Sequence, residues 1–434
     1  MEHVGRRSFL VGSLAASATP FSGSPNDQIQ VAVVGVRSRG RTHITEFGKQ
    51  KNCRVAAVCD VDTAQSERAV QLAEQVQGHK PRTYQDIRRL LEDKQIDAIS
   101  IATCNHWHAL AAIWACQAGK DVYVEKPASH NIWEGRKMVE AARKYQRMVQ
   151  VGMQARSLEH YRCAIALLHQ GAIGKLYMAK GLCFKRRKSI GKQPDGPAPP
   201  GVDYNLWLGP ASARPFNPNR FHYNWHWFWD TGNGDIGNQG VCEMDIARWG
   251  LGLNLLPKKV HSSGGKFVCD DDQETPNTQL AVFEYDDCQL ILEVRGLLTG
   301  GESSIQYDGA NYIGNIFFGS EGFLSLDCFG FQMYLGEKRE LAQQMKYTEP
   351  SSWDTRPHVE NFLKAMRSRN HRELTNDVED GHWSAALSHL ANISYRTGRK
   401  LLFNPASETF GADAEANRYL SREYRRPFVV PPRV

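Results

Sequence analysis

Residues 29–152 alternate between short apolar runs and longer amphipathic stretches, and this alternation constrains the fold more than any other feature. The strand-like apolar runs fall at 29–36, 54–59, 97–102, 121–125 and 148–152. Helical patterns fill the intervals at 63–77, 84–93, 106–118 and 131–145. Apolar strands that alternate with helices form a parallel sheet covered on both faces. The sequence therefore predicts an N-terminal α/β domain, a doubly wound Rossmann sheet, over residues 27–152.

The chain has 434 residues, which is enough for a second domain with its own core. Strand-like segments follow at 175–184, 278–286, 288–296 and 323–329. Helical stretches at 356–369 and 377–397 are expected to pack back near the domain junction. We place the second domain at 153–425 and a Pro-rich tail, expected to hold a neighbour, at 426–434.

The first 26 residues resemble an export signal. Arg6 and Arg7 precede a short apolar run that ends in an AxA-like cleavage pattern at 16–18. This predicts a twin-arginine-type signal over 1–26 and a periplasmic protein, whereas a chance pair of arginines would leave it in the cytoplasm. The apolar run is too short to cross a bilayer, so no membrane span is predicted. The cysteines form no CxxC pair and are predicted to be free thiols, which export of an already folded chain would allow.

Composition argues against nucleic-acid binding and against a metal centre. The net charge of +6 is spread along the chain, apart from a basic run at 185–188 that we interpret as a solvated face. No zinc-finger spacing, heptad or internal repeat accompanies that run. His358, His382 and His389 lack the acidic or cysteine spacing of a zinc or iron site. We therefore predict no nucleic-acid partner and no metal.

The first strand ends in a turn that can hold a dinucleotide. Gly35 and Gly40 flank Arg37, Ser38 and Arg39 ahead of a helix, where main-chain N–H groups can bind a pyrophosphate. Arg37 replaces the middle glycine of the usual fingerprint. Its side chain either pairs with a phosphate or blocks the pocket.

Asp60 ends the second strand, twenty residues after Gly40. An acid at this place bonds the adenosine ribose hydroxyls and favours NAD, with NADP as the alternative cofactor. The other interpretation of Asp60 is a helix-capping or loop acid.

Two short motifs make the first domain recognisable. Residues 102–108, ATCNHWH, and 125–127, EKP, resemble the TPNxxH and EKP signatures of the Gfo/Idh/MocA oxidoreductases, the family of glucose-fructose oxidoreductase and inositol dehydrogenase. The resemblance continues at 154–156, 221–240 and 381–400, and it looks like an exported branch of that family. It implies a C-terminal α+β domain with an open, mostly antiparallel sheet. It also implies a homodimer or homotetramer formed through that sheet.

The resemblance, together with the glycine turn and Asp60, assigns residues to two sites. The predicted cofactor-binding residues are Gly35, Arg37, Ser38, Arg39, Gly40, Asp60, Thr103, Asn105, His108, Glu125 and Lys126. The predicted substrate-binding residues are Gln154, Arg156, His226, Trp227 and Asp235. Residues 221–229 are rich in aromatic rings, which either stack on a sugar or form a core or subunit interface.

A predicted helix over 235–248 carries a polar face. The residues of that face are Asp235, Asn238, Cys242 and Asp245. The resembled family has an Asp, a His four residues later and an Asp three after that, and the His removes a hydroxyl proton beside the EKP lysine. Asn238 stands at the first Asp position and Cys242 at the His position. The predicted catalytic residues are therefore Lys126, Asn238, Cys242 and Asp245.

The thiol leaves the identity of the base open. Cys242 could serve if Lys126 and a helix N-terminus lowered the pKa of its thiol. Alternatively His226, His222 or His108 supplies an imidazole, or hydride transfer has been lost. A structural interpretation makes Cys242 a small buried residue in a helix that Asp235 caps, with Asp245 paired to Arg248.

Three functions are compatible with these features. The first is a nicotinamide-dependent oxidoreductase that acts on a hydroxyl of a sugar or cyclitol with a tightly held cofactor. The second is a glycosidase or lyase that oxidises a ring carbon transiently, as the NAD-dependent alpha-N-acetylgalactosaminidases do, although those enzymes depart from the EKP motif. The third is a non-catalytic carbohydrate-binding protein that kept the fold.

Overall fold

The computed structural model describes residues 28–305, 307–308, 311–347 and 354–434. The predicted export signal lies outside the described residues. The described chain folds as two domains, each built on one β-sheet.

The first domain is a six-stranded parallel sheet with helices on its faces. Its elements are β1 (Ile29–Val34), α1 (Ser38–Gly48), β2 (Cys53–Cys59), α2 (Thr63–Gln77), β3 (Arg82–Tyr84), α3 (Ile87–Leu91), β4 (Ala98–Ile101), α4 (Asn105–Gln117), β5 (Asp121–Glu125), α5 (Ile132–Lys144) and β6 (Val149–Gly152). The strand order is β3-β2-β1-β4-β5-β6, and every neighbouring pair is parallel. The predicted doubly wound Rossmann sheet is confirmed. Its order reverses between β1 and β4, which opens a crevice at the carboxyl ends of these strands.

One predicted helix of this domain is wrong in extent. Residues 84–93 divide into the end of edge strand β3 and the short helix α3. The carboxylate of Asp86 accepts the N–H of Arg88 at 2.9 Å, so this residue caps the helix and delays its start.

The second domain contains a larger sheet. Its elements are α6 (Glu159–His169), β7 (Leu176–Lys185), α7 (Tyr204–Leu208), α8 (Gly234–Asn238), α9 (Gly240–Gly250), β8 (Lys259–Gly265), β9 (Thr278–Glu284), β10 (Gln289–Arg295), β11 (Tyr307–Asp308), β12 (Asn311–Gly319), β13 (Gly322–Asp327), β14 (Gly330–Leu335), β15 (Glu340–Lys346), α10 (Arg356–Ser368), α11 (Val378–Thr397), β16 (Leu401–Leu402) and α12 (Ala414–Asn417).

The large sheet is mixed and mostly antiparallel, as predicted. The path of strands is β15-β14-β13-β12-β7-β10-β9-β8-β16, and β11 pairs with β12. Within this path β7 and β10 run parallel, and the other described pairs are antiparallel. Helices α6, α9 and α11 pack on one face. Alternate residues of β10, namely Leu290, Leu292 and Val294, are buried under them.

The last long helices return to the domain junction, as predicted. Phe362 of α10 packs edge-on against Phe47 and Tyr123 of the first domain. Helix α11 packs against both α5 and α9, so it contacts both domains. The two sheets are therefore joined by a shared helical layer, and the crevice of the first sheet faces α8 and α9.

The Pro-rich tail packs on the first domain of the same chain. Phe428 and Val430 are buried, and the Phe428 ring meets Trp107 edge-on at 5.5 Å between centroids. Lys144 donates a hydrogen bond to the main-chain oxygen of Val434. The tail thus stabilises the base of helix α4, which begins in the 102–108 motif.

Candidate active site

A cavity of about 420 Å³ lies between the carboxyl ends of β1, β4 and β5 and the facing segments of the second domain. Its volume is in the range of small-molecule sites. The predicted site residues that line it are Gly35, Arg37, Ser38, Arg39, Asp60, Thr103, Asn105, His108, Glu125, Lys126, Gln154, His226, Asn238 and Cys242. The predicted residues that do not line it are Gly40, Arg156, Trp227, Asp235 and Asp245.

The turn after β1 is shaped by two glycines. Gly35 has φ of +78°, and a Cβ there would lie 2.8 Å from the main-chain oxygen of Ala102. A Cβ on Gly40 would lie 2.0 Å from the oxygen of Gly35. Helix α1 follows with no side-chain cap and no acid in its first turn, so its first N–H groups can bind an anion. Arg37 is exposed and lines the cavity beside this turn.

Asp60 faces this turn from the end of β2. Its carboxylate accepts the N–H of Val36 at 2.8 Å and that of Asp62 at 3.0 Å. Burial raises the pKa of Asp60 to about 6. Helix α2 is capped instead by Asp62, which accepts the N–H of Ala64. The capping interpretation of Asp60 is therefore wrong, and its carboxylate lies where a ribose hydroxyl binds in Rossmann domains.

A segment of the second domain closes over this end of the cavity. The N–H of Thr63 donates to the oxygen of Gly201 at 3.1 Å, and the N–H of Asp203 donates to that of Val61 at 2.9 Å. The imidazole Nε2 of His222 lies 3.0 Å from a carboxylate oxygen of Asp62. We call the contact between 61–63 and 201–203, together with His222, the clasp.

The 102–108 motif organises the floor of the cavity. His108 bonds through Nδ1 to the oxygen of Pro127 at 2.7 Å and through Nε2 to that of Thr103 at 3.1 Å. The side chain of Asn105 donates to Asn233 at 2.9 Å across the domain junction. Both ring nitrogens of His108 face carbonyl oxygens, so this histidine cannot take up a substrate proton there.

Glu125 anchors the polar network beneath the cavity. Its carboxylate accepts from Arg39 at 2.7 Å, from His43 at 3.0 Å and from Gln154 at 3.2 Å. The nearby Arg39 and His43 hold the pKa of Glu125 well below its usual range, despite its burial. Glu125 and Arg39 thus neutralise each other, and Gln154 is oriented by the same carboxylate.

Lys126 reaches across the junction to the end of helix α8. Its ammonium donates to the main-chain oxygen of Asn238 at 2.7 Å and to the side-chain oxygen at 3.3 Å. The amide of Asn238 donates in turn to Asp235 at 3.3 Å. Among the described residues no carboxylate oxygen lies within 4.0 Å of Lys126 Nζ. Two of the three ammonium hydrogens of Lys126 are thus used, and the third remains to donate to a ligand in the cavity.

The helix predicted over 235–248 is interrupted. Helices α8 and α9 meet at Gln239, where the N–H of Cys242 bonds to the oxygen of Gln239. A Cβ on Gly240 would lie 2.7 Å from Leu292, so the close approach to the sheet fixes this break. The break turns Gln239 as well as Asn238 toward the cavity.

Cys242 is a thiol and not a thiolate. Burial, together with the acids Glu243, Glu125 and Asp245, raises the pKa of Cys242 to about 12, although Lys126 acts in the opposite direction. The condition under which Cys242 could serve as a base, a pKa lowered by Lys126 and a helix N-terminus, is therefore not met, because desolvation outweighs the single nearby cation.

Asp245 and Asp235 form ion pairs in the protein interior. Asp245 accepts two hydrogen bonds from Arg156, at 2.8 and 2.9 Å, and one from Ser384 at 2.6 Å. Asp235 is held by Arg187 at 2.6 and 2.9 Å. The expected pairing of Asp245 with Arg248 is weaker, at 3.9 Å. These groups lie behind the wall of the cavity and are not among the residues that line it.

His226 lines the cavity, and one of its two ring nitrogens has no hydrogen-bond partner among the described residues. Its Nδ1 lies 2.5 Å from the oxygen of Tyr223, and a carbonyl only accepts, so Nδ1 carries the hydrogen. Nε2 is then an acceptor, with no hydrogen-bond partner among the described residues. Burial holds the pKa of His226 well below its usual range, and Lys126 lowers it further. The ring stacks on Trp225 at 3.6 Å between centroids, which fixes its orientation.

Two family models match this chain. The NAD-binding Rossmann fold of the Gfo/Idh/MocA oxidoreductases matches residues 29–153, and the C-terminal alpha/beta domain of the same family matches residues 181–430. The chain belongs to the Gfo/Idh/MocA oxidoreductase family. Its first domain is therefore an NAD-binding domain, and the glycine turn, the free N-terminus of α1 and Asp60 fit that cofactor.

Solved structures of this fold include dehydrogenases. The WlbA dehydrogenase from Bordetella pertussis, in complex with NADH and UDP-GlcNAcA, is 19% identical, with a TM-score of 0.64 over 87% of this chain and 98% of that one. Levoglucosan dehydrogenase, in complex with NADH and L-sorbose, is 15% identical, with a TM-score of 0.67 over 87% of this chain and 99% of that one. At these identities the likeness establishes the Gfo/Idh/MocA fold.

Curated relatives match a shorter part of the chain. A glycosyl hydrolase family 109 protein from Shewanella sp. is 28% identical over 152 residues, which cover 34% of this chain and 33% of that protein. An alpha-N-acetylgalactosaminidase from Shewanella oneidensis is 27% identical over the same shares. The chain thus matches about a third of the length of these relatives.

Sequence reasoning missed Lys185 and Gln239, which also line the cavity of this Gfo/Idh/MocA protein. The ammonium of Lys185 donates to the side-chain oxygen of Gln239 at 3.2 Å. Lys185 belongs to the basic run 185–188 that the sequence predicts to be a solvated face, yet in that run only Lys188 is exposed. The signal that could have found Lys185 is its place at the end of β7.

The described residues contain neither a membrane-spanning helix nor a cluster of metal ligands. None of their helices has both the length and the apolarity to cross a membrane. Nor do three or more His, Cys, Asp or Glu side chains in this part of the chain converge as metal ligands. His358 bonds to Val151 and Ser157, His382 to Glu408, and His389 lies beside Ser129.

Proposed function

We propose that this protein is an NAD-dependent dehydrogenase that oxidises a hydroxyl of a sugar or cyclitol. The observation that carries the proposal is the arrangement of His226 and Lys126 on one cavity. His226 presents a fixed acceptor nitrogen, and Lys126 presents an ammonium donor.

The residues divide the reaction between them. Lys126 donates a hydrogen bond to the substrate oxygen, which stabilises the charge that develops as the O–H bond breaks. Nε2 of His226 accepts the hydroxyl proton, while Tyr223 stabilises the imidazolium through Nδ1–H. NAD, when bound, would accept the hydride, so that the products would be a carbonyl compound, NADH and a proton. Asn238 positions Lys126, and Gln154 supplies a polar contact for neighbouring hydroxyls.

Several observations support a sugar as the substrate. His226 is flanked by the Trp225 ring, and aromatic faces of this kind stack on sugar rings. The structural neighbours include dehydrogenases crystallised with sugars, such as L-sorbose and UDP-GlcNAcA.

The chain also carries Cys242 where the resembled family has a histidine, and His226 takes over the role of that histidine as the base in our proposal.

The test begins with the cofactor and continues to turnover. The purified protein is denatured, and released NAD(H) is identified by absorbance and mass. NADH formation is then measured across a panel of sugars and cyclitols for the wild type, Lys126→Met and His226→Gln. We expect each variant to lower kcat by about 10²–10⁴-fold while it retains NAD. His261→Gln, an exposed histidine on β8, serves as the matched control.

The outcome that contradicts the proposal is clear. If His226→Gln leaves kcat within about twofold of the wild type, the base lies elsewhere. A protein that holds NAD but forms no NADH from any member of the panel favours the non-catalytic function instead.

A second candidate function is an NAD-dependent glycosidase. The 27% match to an alpha-N-acetylgalactosaminidase favours it, although the match covers a third of that enzyme. Release of p-nitrophenol from p-nitrophenyl alpha-N-acetylgalactosaminide, without net NADH, would identify this activity. A dehydrogenase accumulates NADH and leaves the glycosidic bond intact.

Oligomerisation and export stand as further proposals. On the open face of the large sheet, Phe323 of β13 lies opposite Phe318 of β12 and Tyr334 of β14. The rings of Phe323 and Tyr334 stack at 4.8 Å between centroids. This half-buried apolar row supports a homodimer or homotetramer formed through the sheet, which light scattering of the purified protein tests. Fractionation of cells tests export to the periplasm.

A further inference from the structure

The substrate end of the cavity carries two ammonium groups without a carboxylate partner. Among the described residues no carboxylate oxygen lies within 4.0 Å of Lys126 Nζ or of Lys185 Nζ. Lys126 is held by the oxygens of Asn238, and Lys185 by the side-chain oxygen of Gln239. An ammonium has three donors, so Lys185 keeps two for a ligand.

The other charges around these two lysines cancel. Arg39 pairs with Glu125, and Arg187 pairs with Asp235. Asp60 and Asp86 follow β2 and β3, so they line a part of the cavity that lies three or four strands away from Lys126, which follows β5. The two lysines therefore contribute about two uncompensated positive charges to the substrate end.

The titratable groups beside the lysines are neutral near pH 7. Burial raises the pKa of Glu243 to about 8, so its carboxyl group is mostly protonated there. Burial likewise keeps Cys242 as a thiol and His226 as a neutral imidazole. None of these groups offsets the positive charge of the lysines.

Gln239 fixes the place of Lys185. Its amide donates to Glu243 at 3.1 Å, so its oxygen is turned toward the ammonium. Lys185 ends β7 and is half-buried, whereas Lys188 three residues later is exposed. The ammonium is thus held in the cavity and does not extend into solvent.

We infer that Lys185 recognises an anionic group on the sugar, so that the substrate is a sugar acid or a sugar phosphate. This inference rests on the proposed function, because it places the sugar in the same cavity. An anion beside Lys185 compensates a partly desolvated charge, which a neutral sugar cannot do. Lys126 meanwhile stays available for the reacting hydroxyl, since its position is set by Asn238.

The test measures binding apart from turnover. Calorimetric titration of the NAD-loaded protein compares D-glucuronate, D-glucose 6-phosphate and D-glucose at low and high salt. The variants are Lys185→Gln and, as the matched control, Lys188→Gln, which removes the same charge from the exposed part of the run. Thermal unfolding of each variant confirms that it folds.

We expect at least one of the two anions to bind the wild type about tenfold or more tightly than D-glucose. Lys185→Gln should abolish that preference and leave the affinity for D-glucose unchanged, whereas Lys188→Gln should preserve it. Preference for D-glucuronate identifies a carboxylate, and preference for D-glucose 6-phosphate identifies a phosphate. Where turnover is measurable, Lys185→Gln should lower kcat/KM for the anionic sugar by raising KM, with kcat unchanged.

Three results would overturn the inference. The first is equal affinity of the wild type for the anions and for D-glucose. The second is an equal loss of anion affinity in Lys185→Gln and Lys188→Gln. The third is no binding of either anion at about 50 mM. Binding that depends on Lys185 without NADH formation would instead leave the inference standing and count against the proposed dehydrogenase.

Discussion

Lys126 of the first domain donates a 2.7 Å hydrogen bond to the main-chain oxygen of Asn238 in the second. The Lys126 ammonium is therefore positioned by the carboxyl end of α8, and the two domains must dock correctly to place it. This contact links the NAD-binding domain directly to the wall that carries Gln239 and Cys242.

Replacement of Cys242 should cost little activity. Because the pKa of its thiol is about 12, the group is not a base at neutral pH, and Cys242→Ser is expected to keep kcat within about tenfold of the wild type. Peptide mapping after iodoacetamide treatment at pH 8 should show slow alkylation of Cys242 beside rapid alkylation of the exposed Cys163. A loss of activity comparable with that of Lys126→Met would show that the thiol takes part in the chemistry.

Gly40 should not tolerate a side chain. A Cβ there meets the oxygen of Gly35 at 2.0 Å, so Gly40→Ala must displace the turn that receives the pyrophosphate. We expect NAD content to fall and the free energy of unfolding to drop by more than about 2 kcal/mol. The control is Gly300→Ala, whose added Cβ meets nothing within 4 Å. Equal NAD content in the two variants would count against this account of the turn.

The clasp should slow the release of NAD. His222→Asn removes the contact with Asp62, and asparagine tolerates the φ of +64° at this position. We expect faster loss of NAD during gel filtration, with kcat unchanged when NAD is in excess. His79→Asn, at an exposed position, is the control. Unaltered retention in His222→Asn would mean that the clasp does not hold the cofactor.

Glu243 should make stability depend on pH. In the folded protein the pKa of Glu243 is raised to about 8 from an ordinary value of 4.5. The neutral carboxyl group therefore contributes fully to the free energy of unfolding below about pH 4.5, and this contribution is lost as the pH rises to about 8. Relative to the wild type, Glu243→Gln should lose less stability between these limits. Urea unfolding at pH 5 and pH 8.5 measures the difference, expected to exceed about 1 kcal/mol. The exposed Glu360→Gln should behave as the wild type does.

The first domain was predictable from sequence because its strands are apolar throughout. Strand β5 and helix α2 were placed with their observed bounds. Several strands of the second domain were missed. Strand β15 is almost entirely exposed. Strand β12 contains Gly314 in its interior and Gly319 at its end. Neither strand therefore shows a clear apolar period.

The site was predictable where a motif places a side chain and was not where tertiary contacts decide. Lys126 and Glu125 line the cavity as their motif implied. Periodicity grouped Asp235 and Asp245 with Asn238 and Cys242, but Arg187 and Arg156 draw the two acids into the protein. Partners that lie 48 and 89 residues away along the chain leave no local signal.

The clasp has a consequence for the kinetic mechanism. If the clasp retains NAD behind 61–63 and 201–203, and no free NAD exchanges with it, the cofactor would be reduced and reoxidised in place, and a second compound would have to enter the same cavity and take the hydride back. The enzyme would then alternate between two half-reactions, and double-reciprocal plots at several concentrations of the second compound would be parallel. On this account an electron-accepting sugar or ketone is as much a substrate as the alcohol that is oxidised.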